Sequence, residues 1–263
     1  MANEYAVNQA DLTAVADAIR EKGGTSDALE FPGGFVDAVE AIQGSGYTID
    51  DIANPYNVSG DIVITATEIN GYAFSGAQIT SVVAENATIC GGNAFYNCKK
   101  LKRARLPKCV SFYNRNYAFA ECTVLVDVDL ESMSEVGEGM FSNCTSLESI
   151  VLPSAKNHYN NAFSNCTALK LVDYHERANF FRQYAFQNCS SLEAIVLRNA
   201  EMSWLGNLNS FNNTPLSGYG GTYSGHIYVP SSLISSYQTG TNWSTMYANY
   251  PEIFQPIEGS EYE

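Results

Sequence analysis

The stretch GMFSNCTSLESIVLP, residues 139–153, is written again with small changes as NAFSNCTALKLVDY at 161–174. Aligned on the phenylalanine, the line extends in both directions. It reads YAFSGAQIT at Phe74, NAFYNCKKL at Phe95, YAFAECTVL at Phe119, YAFQNCSSL at Phe186 and a degenerate NSFNNTPLS at Phe211. Successive phenylalanines lie 21, 24, 22, 22, 23 and 25 residues apart. Cysteine follows three places after Phe95, Phe119, Phe141, Phe163 and Phe186, and leucine six places after the same five. Self-similarity at such a period marks a chain of stacked, near-identical units, each too small to bury its own apolar face.

The physics of one unit can be read from LVDVDL (125–130), LESIVLP (147–153) and LEAIVL (192–197), with apolar residues first, fourth and sixth. The fourth and sixth differ by two, so they share one face of a strand. A strand this short gains stability only from neighbours. Stacking equal coils roughly 5 Å apart supplies one on each side and pairs the backbone groups. The pattern therefore predicts a leucine-rich-repeat solenoid: parallel strands stacked in coils of about 22 residues, with an irregular or short helical convex side. Phenylalanine and cysteine become two internal columns, and the repeated line is scaffold. The degenerate last repeat implies that Phe211 is held more loosely than Phe141 or Phe163.

That reading decides the cysteines. The seven include no CxxC and no Cys/His cluster at metal spacing. Cys98, Cys122, Cys144, Cys166 and Cys189 read as small, buried, reduced thiols. Cys90 and Cys109 fall outside that column, and their roles stay open. Asn143, Asn165 and Asn188 head Asn-x-Ser/Thr triplets, but these recur because the repeat recurs.

The line AF-x-x-C-x-x-L-x-x-I-x-L-P resembles the BspA-type leucine-rich repeat, common in bacterial surface and adhesion proteins, over about residues 60–230. The resemblance implies the solenoid fold and a role in recognition. The usual Ile-Gly before the AF is kept partly in EVGEGMF and not in KNHYNNAF or ANFFRQYAF. Residues 227–250, IYVPSSLISSYQTGTNWSTMYANY, are similar to a closing segment found after such repeats, and suit a last strand followed by an amphipathic helix.

Towards the start, NQADLTAVADAIREKGG (8–24) carries Asn8 as a helix cap, Leu12, Val15 and Ile19 on one face, and a Gly23-Gly24 stop. FPGGFVDAVEAIQG offers a second short helix with Phe35, Val39 and Ile42 inward. This small α-helical hairpin resembles a module of phage and prophage tail-associated proteins, which implies association through it. The expected organisation is a helical module at 1–46, a linker at 47–60, the solenoid at 61–226 and a cap and tail at 227–263.

Charge narrows the partners. The 263 residues hold 28 acids against 14 bases, a net −14, which argues against nucleic acid. The surplus sits at the ends: residues 1–46 hold eight acids and two bases, and the tail from Glu252 holds four acids and no base. No basic and apolar leader opens the sequence and no run of about 18 apolar residues occurs. A secretory signal and membrane insertion are therefore not expected, and localisation stays unassigned beyond a surface or virion association. His158, His175 and His226 stand in different coils without a catalytic or metal motif. No phosphate loop, dinucleotide fingerprint or nucleophile elbow is present. The chain is thus expected to be non-enzymatic and without cofactor. His158 reads as a half-buried filler, and most of the C-terminal tyrosines, Tyr219, Tyr223, Tyr228, Tyr237, Tyr247 and Tyr250, as a cap.

What remains is the strand face. Two and four places after Leu101 and Leu125 stand Arg103 and Arg105, then Asp127 and Asp129. Parallel register sets Arg103 beside Asp127 and Arg105 beside Asp129, with Lys99, Lys100, Lys102 and Lys108 around them. The same columns continue as Ser149 and Val151, Leu171 and Asp173, and Ala194 and Val196. Exposed ion pairs contribute only about 0–1 kcal/mol each. Recognition of a protein or glycan partner is therefore one explanation of the face, and a solvated surface that balances its own charge is the other. At the level of the chain the alternatives are an adhesion module, a structural virion or surface spacer, and an enzyme whose site the sequence does not display.

Overall fold

Each repeat folds as one coil, and the strand that opens it lies beside the strand of the next coil. The computed structural model describes residues 58–263 apart from 114, 115, 176 and 177. The helical hairpin expected at 1–46 and most of the 47–60 linker lie outside the described residues. Strand β1 (Ser59–Val63) starts two residues before the expected solenoid boundary and pairs in parallel with β3 (Gln78–Val83). The ladder continues through β5 (Arg103–Arg105) and β7 (Asp127–Asp129). A second ladder runs β9 (Ser149–Val151), β11 (Leu171–Tyr174), β13 (Ala194–Leu197), β15 (His226–Val229) and β16 (Phe254–Pro256). All of these pairings are parallel.

The return side of the coil is built from turns and very short strands. β2 (Glu68–Ile69), β4 (Ile89–Gly91) and β6 (Ser111–Tyr113) form one ribbon. β8 (Glu135–Val136), β10 (Asn157–His158), β12 (Phe180–Phe181) and β14 (Trp204–Leu205) form another. Their inward residues, Ile69, Cys90, Phe112, Val136, His158, Phe181 and Leu205, make a buried column. His158 is fully buried in it, not half-buried.

Just after each repeat phenylalanine the chain turns sharply. The residue two places after each repeat phenylalanine, Gly76, Asn97, Glu121, Asn143, Asn165, Asn188 or Asn213, has φ between 58° and 75°. Asparagine and glycine tolerate this left-handed region, which explains the Phe-x-Asn-Cys spelling. The asparagine amides add a ladder of their own: Asn213 donates to Asn188 at 2.7 Å and Asn188 to Asn165 at 2.6 Å. Asn143 donates to Glu121 at 2.8 Å. The three triplet asparagines are therefore tied into the turn.

Inside, seven phenylalanine rings from Phe74 to Phe211 stack at 5.2–5.6 Å with planes within 6° of parallel. At that separation parallel rings are offset, the arrangement the ring quadrupole favours. The five column cysteines are free and fully buried. Each thiol donates to the carbonyl of the phenylalanine in the preceding coil, from Cys98 to Phe74 at 2.9 Å through to Cys189 to Phe163 at 3.1 Å. A small donor at this corner thus satisfies an inward-facing carbonyl that water cannot reach.

The last coil is closed by α1 (Ile234–Thr239) and α2 (Trp243–Asn249) between β15 and β16. Trp243 packs 6.0 Å from Phe211 and 6.2 Å from Phe181, ring centre to ring centre. Its indole N–H donates to the Ser203 carbonyl at 2.7 Å, and the Ser203 N–H donates to the Tyr237 hydroxyl at 2.8 Å. Asn242 donates to the Leu205 carbonyl at 2.7 Å. The cap therefore supplies the partners that a further coil would have supplied. Phe211 is fully buried, contrary to the looser fit its degenerate repeat suggested.

Candidate interaction face

The register of the first ladder sets Arg103 opposite Asp127 and Arg105 opposite Asp129. Their charged atoms lie 3.9 and 3.8 Å apart. Arg105 is held more firmly by Glu85 at 2.8 Å, from the coil on its other side. Arg103, Asp127 and Arg105 are well exposed, at 74%, 69% and 58%, and Asp129 is partly covered, at 38%. Lys99, Lys100, Lys102 and Lys108 are exposed around them. Upstream, Asp61 accepts hydrogen bonds from Thr80 and Ser81 at 2.7 Å, which lowers its pKa; Arg103 adds to the effect. The charged end of the face is a run of mutually satisfied ions and hydroxyls.

Beyond the interruption between β7 and β9, Ser149 and Val151 are exposed and Leu171 is partly covered. The columns then close: Asp173 is 9% exposed, Ala194 2% and Val196 0%. Those three, read in the sequence as open, do not stand free. Arg198 reaches back with a bidentate pair, both contacts 3.1 Å, onto Asp173, Val196's neighbour in register. His175 lies 3.7 Å from the same carboxylate. On the other side of Val196 stands Tyr228, with Tyr262 of the C-terminal tail edge-on at 4.6 Å.

An aromatic group follows at the C-terminal end. Tyr228 and His226 share the outward face of β15; the His226 ring hydrogen-bonds the Tyr250 hydroxyl at 2.8 Å, and Tyr250 lies 5.2 Å from Tyr223. Burial raises the hydroxyl pKa of Tyr228, Tyr250 and Tyr262, Tyr262 to about 12, and the adjacent carboxylates Glu261 and Glu252 add to it. Tyr223 also lines a cleft of about 140 Å³ between the last repeat and α2, with Leu208, Leu216, Met246 and Asn249. Of the C-terminal tyrosines, Tyr237 is core and does the work of a cap. Tyr223 is 38% exposed, and Tyr228 and Tyr250 are partly exposed. Among the described residues no group of three His, Cys, Asp or Glu side chains could hold a metal, and no helix is long and apolar enough to cross a membrane.

The model of the BspA type leucine rich repeat region matches in six copies over residues 59–170 and 115–219. The chain belongs to that family. The solved leucine-rich repeat protein of T. pallidum is similar at 25% identity and a TM-score of 0.51, over 55% of this chain and 72% of its own. The pneumococcal vaccine antigen PcpA is 13% identical with a TM-score of 0.49, over 71% of this chain and 55% of its own. A leucine rich cell surface protein from Faecalibacterium prausnitzii is 18% identical with a TM-score of 0.29, over 66% and 83%. No curated protein sequence matches. Leucine-rich repeat proteins of this kind are typically non-enzymatic binding modules and generally bind other proteins.

Proposed function

We propose that this protein is a recognition or adhesion module that takes a protein or glycan ligand on the strand face of its solenoid, at a bacterial surface or on a prophage tail. The observation that carries the reading is the exposed charged quartet, Arg103, Arg105, Asp127 and Asp129, held in register on adjacent strands. Surface pairs at this exposure contribute little to stability, so a fixed array of four invites a partner that matches its alternation of charge. The face runs on to exposed Ser149 and Val151 and partly covered Leu171, and the partly exposed tyrosines provide amphipathic contact area beyond them. Residues 1–46 would serve as the attachment.

The test is binding of the full chain to a glycan array and to a panel of extracellular proteins. Asp127→Lys with Asp129→Lys should weaken a hit at least tenfold while moving the melting temperature by only a few degrees. Binding that ignores this double change would end the assignment of the face. A spacer role is the second reading, favoured by the fact that the quartet neutralises itself. Deleting residues 1–46 separates the two: a recognition solenoid keeps its ligand, and a spacer loses every interaction.

A further inference from the structure

Cys90 and Cys109 are set apart from the other five thiols by where their sulfurs point. Each column cysteine donates to a phenylalanine carbonyl of the neighbouring coil. The Cys109 sulfur instead lies 3.3 Å from the Cys90 sulfur, with the Ser111 carbonyl as a more distant acceptor at 3.5 Å. Both residues are fully buried. Cys90 sits on β4, opposite Phe112 of β6, and Cys109 stands two residues before β6 begins, so the two belong to successive coils. A disulfide requires sulfurs about 2.0 Å apart and closely approaching β-carbons. The pair is a little over one ångström from that distance, a movement two side-chain torsions can supply.

We propose that Cys90 and Cys109 are a cross-linking site, forming an inter-coil disulfide when the chain folds in the presence of a disulfide oxidant. The chemistry is ordinary exchange. The thiolate of one cysteine attacks a sulfur of a low-molecular-weight disulfide or of a thiol oxidoreductase and releases one reduced thiol. The second cysteine's thiolate then attacks the mixed disulfide and releases the other. Two thiol protons end on the two released thiols, and two electrons pass to the reagent. The hydrogen bond between the two thiols, together with burial, raises the pKa of Cys90, so the folded pair reacts slowly and the link forms as the coils close. It would staple the second and third coils across a sequence separation of nineteen residues, near the N-terminal end of the described solenoid. The inference is independent of any ligand.

The experiment is refolding of the full chain from reduced, denatured protein in a buffer of oxidised and reduced glutathione, followed by thiol blocking and non-reducing peptide mapping. The expected result is one predominant cross-link, Cys90 to Cys109, with Cys98, Cys122, Cys144, Cys166 and Cys189 recovered as free thiols. The oxidised protein should melt about 5 °C or more above protein refolded with reductant alone. That difference should vanish in a Cys90→Ala, Cys109→Ala variant. Free thiols or glutathione adducts at both positions, or a predominant link within the cysteine column, would overturn the proposal. So would a melting difference that persists in the double variant.

Discussion

His158 occupies a place that neighbouring coils give to Val136, Phe181 and Leu205, and like them it is buried. Its ring stacks 4.9 Å from Phe181 and meets Tyr174 edge-on at 4.8 Å. Among the described residues no group makes a hydrogen bond of good geometry with either imidazole nitrogen or with the Tyr174 hydroxyl. Burial pushes the histidine pKa down to about 3, against a weaker opposing effect from the Phe180 backbone. The folded state therefore holds the neutral ring, while the unfolded chain takes up a proton below its ordinary value near 6.5. The contribution to stability is intact above about pH 6.5 and is lost as pH falls towards 3, at up to about 1.4 kcal/mol per pH unit. His158→Leu, which copies Leu205, should leave stability at pH 7.5 near or above that of the parent and flatten the loss between pH 6 and 4. Urea midpoints for the two proteins across that range decide it; parallel curves would show that the ring is hydrated in the folded state.

At the scale of the element, the strand face was legible and the return side was not. Leucine, isoleucine and leucine at places one, four and six identify the inward side of a strand such as β9 without ambiguity, because a period of two needs only three residues to show itself. A two-residue strand such as β10 has no period. Ile69, Cys90, Val136, His158 and Phe181 each stand five places before their repeat phenylalanine, but Phe112 stands seven and Leu205 six places before theirs. The residue type also changes from coil to coil, so the column carries no recurring letter. The left-handed turn was present in the spelling as a recurring asparagine, yet Glu121 in the same conformation breaks the signal. Asp173 misled for another reason: Arg198, a residue 25 places on, reaches back onto it from the end of the adjacent strand. The degenerate NSFNNTPLS misled about Phe211, whose coil neighbour is replaced by Trp243 of the cap. Phe211→Ala should accordingly cost as much as Phe141→Ala, about 3–5 kcal/mol each through cavity formation. Chemical denaturation measures both; a cost for Phe211 near that of a surface change would mean that the cap follows the ring into the space it leaves.

On the scale of the whole molecule, stability is a sum over coils and the faces between them, so the position of a cut matters more than its length. Removing residues 120–141 takes out one complete coil of 22 residues and joins Phe119 to Ser142, in phase with the repeat. The Cys144 thiol would then meet the Phe95 carbonyl that Cys122 now holds at 3.1 Å, and Ser149 and Val151 would pair beside Arg103 and Arg105. The new interface brings no like charges together in the strand columns and removes Glu121 from its left-handed turn. This variant should fold as a monomer with the same circular dichroism per residue and a lower melting temperature. It should also lose any ligand that depends on Asp127 and Asp129. Truncation after Val229 removes only a dozen residues more, but it takes away β16, Tyr237 and Trp243 together. That leaves the outer edge of β15 unpaired, the Ser203 and Leu205 backbone groups without their side-chain partners, and Phe211 facing water. An open parallel edge beside exposed apolar surface is a template for association, so the truncated chain should aggregate or dimerise where the coil deletion does not. Size-exclusion chromatography of the two purified variants distinguishes the outcomes. A monomeric, stable truncation would mean that the last coil closes on itself, and that α1 and α2 are present for some purpose other than covering it.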